Sequence, residues 1–158
     1  MSKAKERDHE RFLKNLDESE GCVWLAAKYL KDKGFSVTVK ANTKSKSYGD
    51  RLRHTDHGDL AIQKEEKKIE VKHIYLPFTS ADDFPHPRIM VCAKHRWDFA
   101  NPKPDYFMLF NEDMTHFAKI FGHTHETWDE FPFNDRRYED MKQVAYRCPL
   151  DLVEWIKL

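Results

Sequence analysis

Asp59–Lys72 reads DLAIQKEEKKIEVK. Two runs that alternate apolar and polar residues flank a charged centre, KEEK, and this is the pattern of a β-hairpin. With the turn centred between Glu65 and Glu66, Ile62 falls opposite Ile69, Leu60 opposite Val71, Ala61 opposite Glu70, and Asp59 opposite Lys72. Side chains alternate faces along a strand. Leu60, Ile62, Ile69 and Val71 therefore share an apolar face, while Asp59, Ala61, Glu70 and Lys72 share the other. A slip of one residue would carry the charges into the aliphatic layer, so burial selects this parity.

Two carboxylates and an ammonium on one face have a chemical meaning. Carboxylates held close repel each other unless a cation joins them. A hard divalent ion with oxygen ligands satisfies such a pair, and an adjacent lysine can then position water or stabilise charge on a phosphate. The same residues also suit a solvent-facing hairpin with a cross-strand Asp59–Lys72 ion pair.

Outward from the hairpin, Phe12, Leu16, Val23, Ala27 and Leu30 follow helical spacing, with Leu13, Ala26 and Trp24 widening the stripe. Asp17 and Glu20 have the spacing of a capping arrangement at a helix start, and the pattern equally allows a helix running unbroken from near Lys5. Lys33-Gly34 marks the helix end, because glycine accepts the left-handed conformation found there. Phe35–Lys40 (FSVTVK) reads as a strand. Ala41–Gly58 is polar, basic and aperiodic, too long for a simple turn, and is expected to be either a functional loop or a mobile one. Arg88–Ala93 reads as a strand and KHRWDFA as a short helix. DYFMLFN and THFAKIF read as a second hairpin, and PLDLVEWIKL as a short terminal helix closing the core. The order predicts an α/β (α+β) domain with a single mixed sheet flanked by helices.

The 158 residues suit one domain, residues 1–158, with the first ten a flexible lead. Lys and Arg number 27, as do Asp and Glu, so overall charge names no partner. Their distribution is uneven: Lys28–Arg53 holds eight basic residues against Asp32 and Asp50, and Asp105–Asp140 holds nine acidic ones. A polyanion could meet the first region; a solvated basic face is the plainer alternative. Cys22, Cys92 and Cys148 form no CxxC and are odd in number, which points to reduced thiols. No apolar signal region or membrane-length run occurs. The expectation is a soluble, cytoplasmic protein with no membrane partner.

The hairpin resembles that of the PD-(D/E)xK nuclease superfamily, whose core carries an Asp on one strand and E-x-K on the next, after a helix and a strand. Here GDLAI supplies Asp59, and IEVKH supplies Glu70, Val71 and Lys72. The resemblance extends from about Asp17 to Phe121 in element order but is confined to the hairpin in motif, and Gly58 stands where the signature has Pro. It implies a restriction-endonuclease-like αβββαβ core and metal-dependent DNA endonuclease activity. Asp59, Glu70 and the Val71 carbonyl would bind Mg²⁺ or Mn²⁺, Lys72 would assist the attacking water, and Glu20 would be the added helix carboxylate. Residues 41–58 would be a basic substrate-binding loop. With Lys40, Lys44, Lys46, Arg51 and Arg53 neutralising phosphates, Tyr48 would stack and His54 and His57 would contact phosphate. His73, by alternation, would be structural. One site cuts one strand, so double-strand cleavage would call for a homodimer.

Other chemistries are weaker. HTHE (His123–Glu126), with His54, Asp56, His57 and Asp59, offers a histidine-based zinc or iron site, but H-x-H alone is a sparse pattern. No GxSxG, GxxxxGK[ST] or GxGxxG occurs, which excludes the corresponding hydrolase, NTPase and dinucleotide motifs. Trp128, Phe131, Phe133 and Tyr138 suit core cover or a docking face. A non-catalytic nucleic-acid-binding or protein-interaction module of the same fold is the non-enzymatic alternative, distinguished by indifference to metal.

Overall fold

The computed structural model describes residues 20–40, 60–62, 66–135 and 141–158. Helix α1 covers 20–32 and buries Cys22, Val23, Ala26, Ala27 and Leu30 along one stripe. Trp24, expected to widen that stripe, is instead 59 % exposed. The helix ends as the glycine predicts. Gly34 has φ 90°, its N–H donates to the Lys31 carbonyl, and the Phe35 N–H donates to the Leu30 carbonyl. This doubly bonded left-handed end satisfies carbonyls that the helix leaves open.

Strands β1 (Val37–Val39), β2 (Leu60–Ile62) and β3 (Lys67–His73) form an antiparallel meander. The chain then passes through β4 (Arg88–Ala93) and helix α2 (Lys94–Phe99) before β5 (Tyr106–Phe110) returns parallel to β3. A parallel return needs such a crossover. β6 (His116–Phe121) pairs antiparallel with β5, so the second hairpin forms where the sequence places it. Asn111 closes it: its Oδ1 accepts from the Thr115 and His116 N–H groups, and its Nδ2 donates to the Phe78 carbonyl at 2.8 Å.

Two expectations are corrected. Residues 154–157 do not continue a terminal helix: a 3-10 turn at Leu150–Leu152 leads into strand β9 (Glu154–Lys157), paired with β6. Leu150, Val153 and Ile156 have the spacing of a helix, but an open β6 edge offers backbone partners to Glu154–Lys157 and decides for the strand. Nor is there a single sheet. A six-stranded sheet, β1-β2-β3-β5-β6-β9, faces a second of three strands, β4-β8-β7, built from β7 (Asp129–Asn134) and β8 (Lys142–Pro149). The architecture is mixed α/β.

Each face of the large sheet has its own core. α1 packs against Leu60, Ile62, Ile69, Val71, Met108 and Phe110. Across the sheet, Phe107, Leu109, Ala118 and Ile120 pack with Val91, Cys92, Trp97, Trp128 and Cys148 from the second layer. Cys22, Cys92 and Cys148 are buried free thiols, as expected. Burial holds the Cys22 thiol up at about 11. Among the described residues no helix is long and apolar enough to cross a membrane.

Candidate functional site

The central hairpin keeps the predicted parity and changes the predicted register. Leu60, Ile62, Ile69 and Val71 are all buried against α1, each such side chain contributing roughly 1.5–3 kcal/mol. However, Leu60 pairs with Ile69, Ala61 with Lys68 and Ile62 with Lys67, a shift of two positions. A two-residue turn at Glu65-Glu66 needs two residues at positive φ, for which glutamate is poorly suited. The observed register leaves four residues between the last paired positions, and of these Glu66 takes φ 50°. An even shift preserves faces, so the chemistry of the hairpin survives the correction.

Lys68, Glu70 and Lys72 consequently form a half-buried row on the face away from α1. Each element of the row is positioned. The Lys68 N–H donates to Asp105 Oδ2 at 2.7 Å, and its Nζ lies 3.8 Å from Glu70 Oε1 and 3.4 Å from the Pro102 carbonyl. Lys72 Nζ donates to the Val91 carbonyl at 3.0 Å and sits 5.8 Å from the centre of the Phe107 ring. The Cys92 thiol registers the same neighbourhood: burial raises its pKa first, Lys72 opposes that shift and Glu70 adds to it.

Val91 accepts this bond because of an irregularity in β4. Met90 pairs with Arg147 and Cys92 with Tyr146, leaving Val91 as the unpaired residue of a bulge. A bulge residue drops out of the ladder, and here its carbonyl serves the lysine. Sequence reasoning missed both Lys68 and this carbonyl. The sign that was available for Lys68 is its parity with Glu70; nothing in the sequence marks the bulge.

Asp59, Lys44, Lys46, Tyr48, Arg51, Arg53, His54 and His57 lie outside the described residues. Lys40 follows β1 and lines a depression with Ala61, Lys67 and Lys68. Val71 stands within β3, paired with Met108. Glu20 is exposed on α1, whose packed stripe lies on the opposite face of the sheet from Glu70 and Lys72; the fold does not bring it to that row. His73 behaves structurally, its Nε2 donating to the Glu112 carbonyl at 3.0 Å and its ring packing at a tilt against Tyr75.

The histidine-based alternative does not assemble among the described residues. His125 Nδ1 bonds the Gly122 carbonyl at 3.1 Å and its ring packs on Trp97, while His123 packs on Phe121. No group of three or more His, Cys, Asp or Glu among those residues is placed to hold a metal. The described face thus offers one carboxylate, Glu70, beside two lysines. That donor set fits a divalent ion only with a second carboxylate, and Asp59 is the residue the sequence supplies next to Leu60.

A second polar cluster ties α2 to the three-stranded sheet. Lys94 reaches Glu130 at 2.9 Å, Asp98 at 3.0 Å and the Tyr146 hydroxyl at 2.8 Å, and that hydroxyl donates to Asp98. These contacts hold the ammonium pKa above its ordinary value. The cluster is internally satisfied and serves to fix the second layer that carries Val91. The chain matches no family profile, no curated protein and no solved structure.

Proposed function

We propose that this protein is a metal-dependent DNA endonuclease of the PD-(D/E)xK type, with a restriction-endonuclease-like core. The observation that carries the reading is the row on β3: Glu70 and Lys72 share a half-buried polar face while Ile69 and Val71 fix the strand from behind. Support comes also from element order. A helix, three antiparallel strands, a short helix and a strand parallel to the third follow one another, which is the αβββαβ order with β4 diverted into the second sheet.

In this reading Glu70, Asp59 and the Val71 carbonyl are the ligands of Mg²⁺ or Mn²⁺. A divalent ion there would supply Lewis acidity and lower the pKa of water. Asp59 must then come close enough to Glu70 for the two carboxylates to share one ion. Lys72, whose ammonium bonds the Val91 carbonyl, assists the attacking water or stabilises charge on the scissile phosphate. Basic residues of the 41–58 loop and Lys40 neutralise the DNA backbone. Cutting of both strands requires a second copy of the chain.

The fastened state of Lys72 also suits a binding module that holds nucleic acid without cutting. Incubation with supercoiled plasmid and with linear, branched and single-stranded DNA, in Mg²⁺, Mn²⁺ or EDTA, separates the two. Cleavage that requires metal and disappears in Asp59→Ala, Glu70→Ala and Lys72→Ala supports the nuclease. Binding without cleavage under every condition rejects it in favour of the module.

A further inference from the structure

We propose that Lys68 is a resident counter-cation of Glu70. Its ammonium stands against the carboxylate while metal is absent and is displaced when a divalent ion binds, so Lys68 sets how much Mg²⁺ or Mn²⁺ the site requires. This rests on the nuclease reading of Glu70 and deepens it, from which residues hold the ion to what the ion displaces. Lys68 and Glu70 are two residues apart on β3 and share a face. Lys68 Nζ lies 3.8 Å from Glu70 Oε1, and the two side chains are only 15 % and 21 % exposed. A carboxylate so far removed from water is stabilised by a cation beside it, and Lys68 supplies one from the chain itself.

Lys68 is held in this place at both ends. Its backbone is clasped by Asp105: the Lys68 N–H donates to Oδ2 at 2.7 Å, and the Asp105 N–H donates to the Lys68 carbonyl at 2.8 Å. Asp105 is itself fixed, its carbonyl accepting from the Gly122 N–H at 2.7 Å. At the other end, the Lys68 ammonium has a second acceptor in the Pro102 carbonyl at 3.4 Å. That acceptor makes release from Glu70 feasible, because an ammonium with three donors keeps a partner when it gives up the carboxylate. Held so close, Lys68 would repel a divalent ion on Glu70 through a medium that screens charge less than bulk water does. The lysine therefore stabilises the metal-free carboxylate and weakens its hold on metal.

Mn²⁺ titration followed by electron paramagnetic resonance of the free ion, at mildly alkaline pH and low salt, reads the displacement directly. Lys68→Met keeps the apolar stem and removes the charge. It should bind Mn²⁺ about 3-fold or more tighter than wild type, and Mn²⁺ should raise its Tm by more than that of wild type. A merely structural lysine would not behave so, since its loss would loosen the site. Lys68→Gln should show the same tightening and serves if the methionine variant fails to fold, while Lys68→Arg, which keeps a cation, should not tighten binding. Lys157→Met removes the same charge from β9, three strands away, and should bind as wild type. Adding Glu70→Gln to Lys68→Met should abolish the gain, and circular dichroism should show the variants folded. Wild-type or weaker Mn²⁺ affinity in folded Lys68→Met and Lys68→Gln, where the wild type cuts with metal, overturns the inference and leaves the nuclease reading intact. Equal tightening in Lys157→Met likewise overturns it, as an effect of overall charge. Tightening confined to the Lys68 variants of a protein that cuts no nucleic acid supports the counter-cation and overturns the nuclease. Absence of Mn²⁺ binding by wild type and both neutral Lys68 variants overturns both.

Discussion

Lys72 on β3 and Val91 on β4 are joined by a 3.0 Å hydrogen bond from ammonium to carbonyl, across the interface between the two sheets. The bond links the candidate catalytic row to the bulge that frees Val91 from its ladder. Lys72→Ala should therefore have two separable effects. Loss of a hydrogen bond from a charged donor should cost about 1.5–3 kcal/mol in urea unfolding, leaving the Val91 carbonyl without this donor. Metal-supported cleavage should fall by about 100-fold or more. Lys72→Arg, which keeps the charge but not the compact ammonium, should recover more stability than activity.

Gly122, at the end of β6, should not tolerate alanine. A Cβ there would collide with the Pro104 carbonyl, with Trp97 and the Asp105 carbonyl close behind. The Gly122 N–H also donates to that Asp105 carbonyl at 2.7 Å, so the backbone cannot simply withdraw. Chemical denaturation of Gly122→Ala should show a loss of about 1–3 kcal/mol.

Asn111→Ala should destabilise through the groups it abandons. The buried amide serves Phe78, Thr115 and His116 at once, and leaving such partners unsatisfied costs about 1–3 kcal/mol. Asn111→Asp should also destabilise, because a carboxylate cannot donate to the Phe78 carbonyl. Thermal unfolding of both variants checks this.

Asp83 provides a pH signature. The Thr79 hydroxyl donates to its carboxylate, as do the N–H groups of Ser80 and Thr79, and its pKa falls to about 2. A depressed carboxylate favours the folded state above the ordinary value of 3.8 and loses that contribution as pH falls toward 2. Carbon-detected NMR should place the Asp83 midpoint near 2, and Asp83→Asn should remove its part of the acid dependence between those values.

Local chemistry was legible where it acts alone. Lys33-Gly34 announced a helix end because a left-handed glycine is a property of the chain itself. Hairpin parity was legible for a similar reason: Leu60, Ile62, Ile69 and Val71 can be buried together in only one phase. Register was not, since a shift of two leaves that phase untouched and only the backbone of Glu66 and its neighbours distinguishes the alternatives. The second sheet was hidden because β4 and β8 are far apart in sequence and the Val91 bulge breaks the alternation between them. The same long-range pairing conceals the partner of Lys72. Among the expected site residues, Glu70 and Lys72 come together on one half-buried face, with Lys68 beside them, while Glu20 stands on a helix packed against the other face.

Glu70 is the proposed carboxylate ligand of a metal-dependent phosphodiesterase site. Single-turnover cleavage of plasmid in Mn²⁺ by wild type, Glu70→Gln and the exposed control His123→Ala tests it most directly. Glu70→Gln should lose about 100-fold or more of the rate, with His123→Ala cutting as wild type and both variants unfolding near the wild-type midpoint. Wild-type cleavage by folded Glu70→Gln would contradict it.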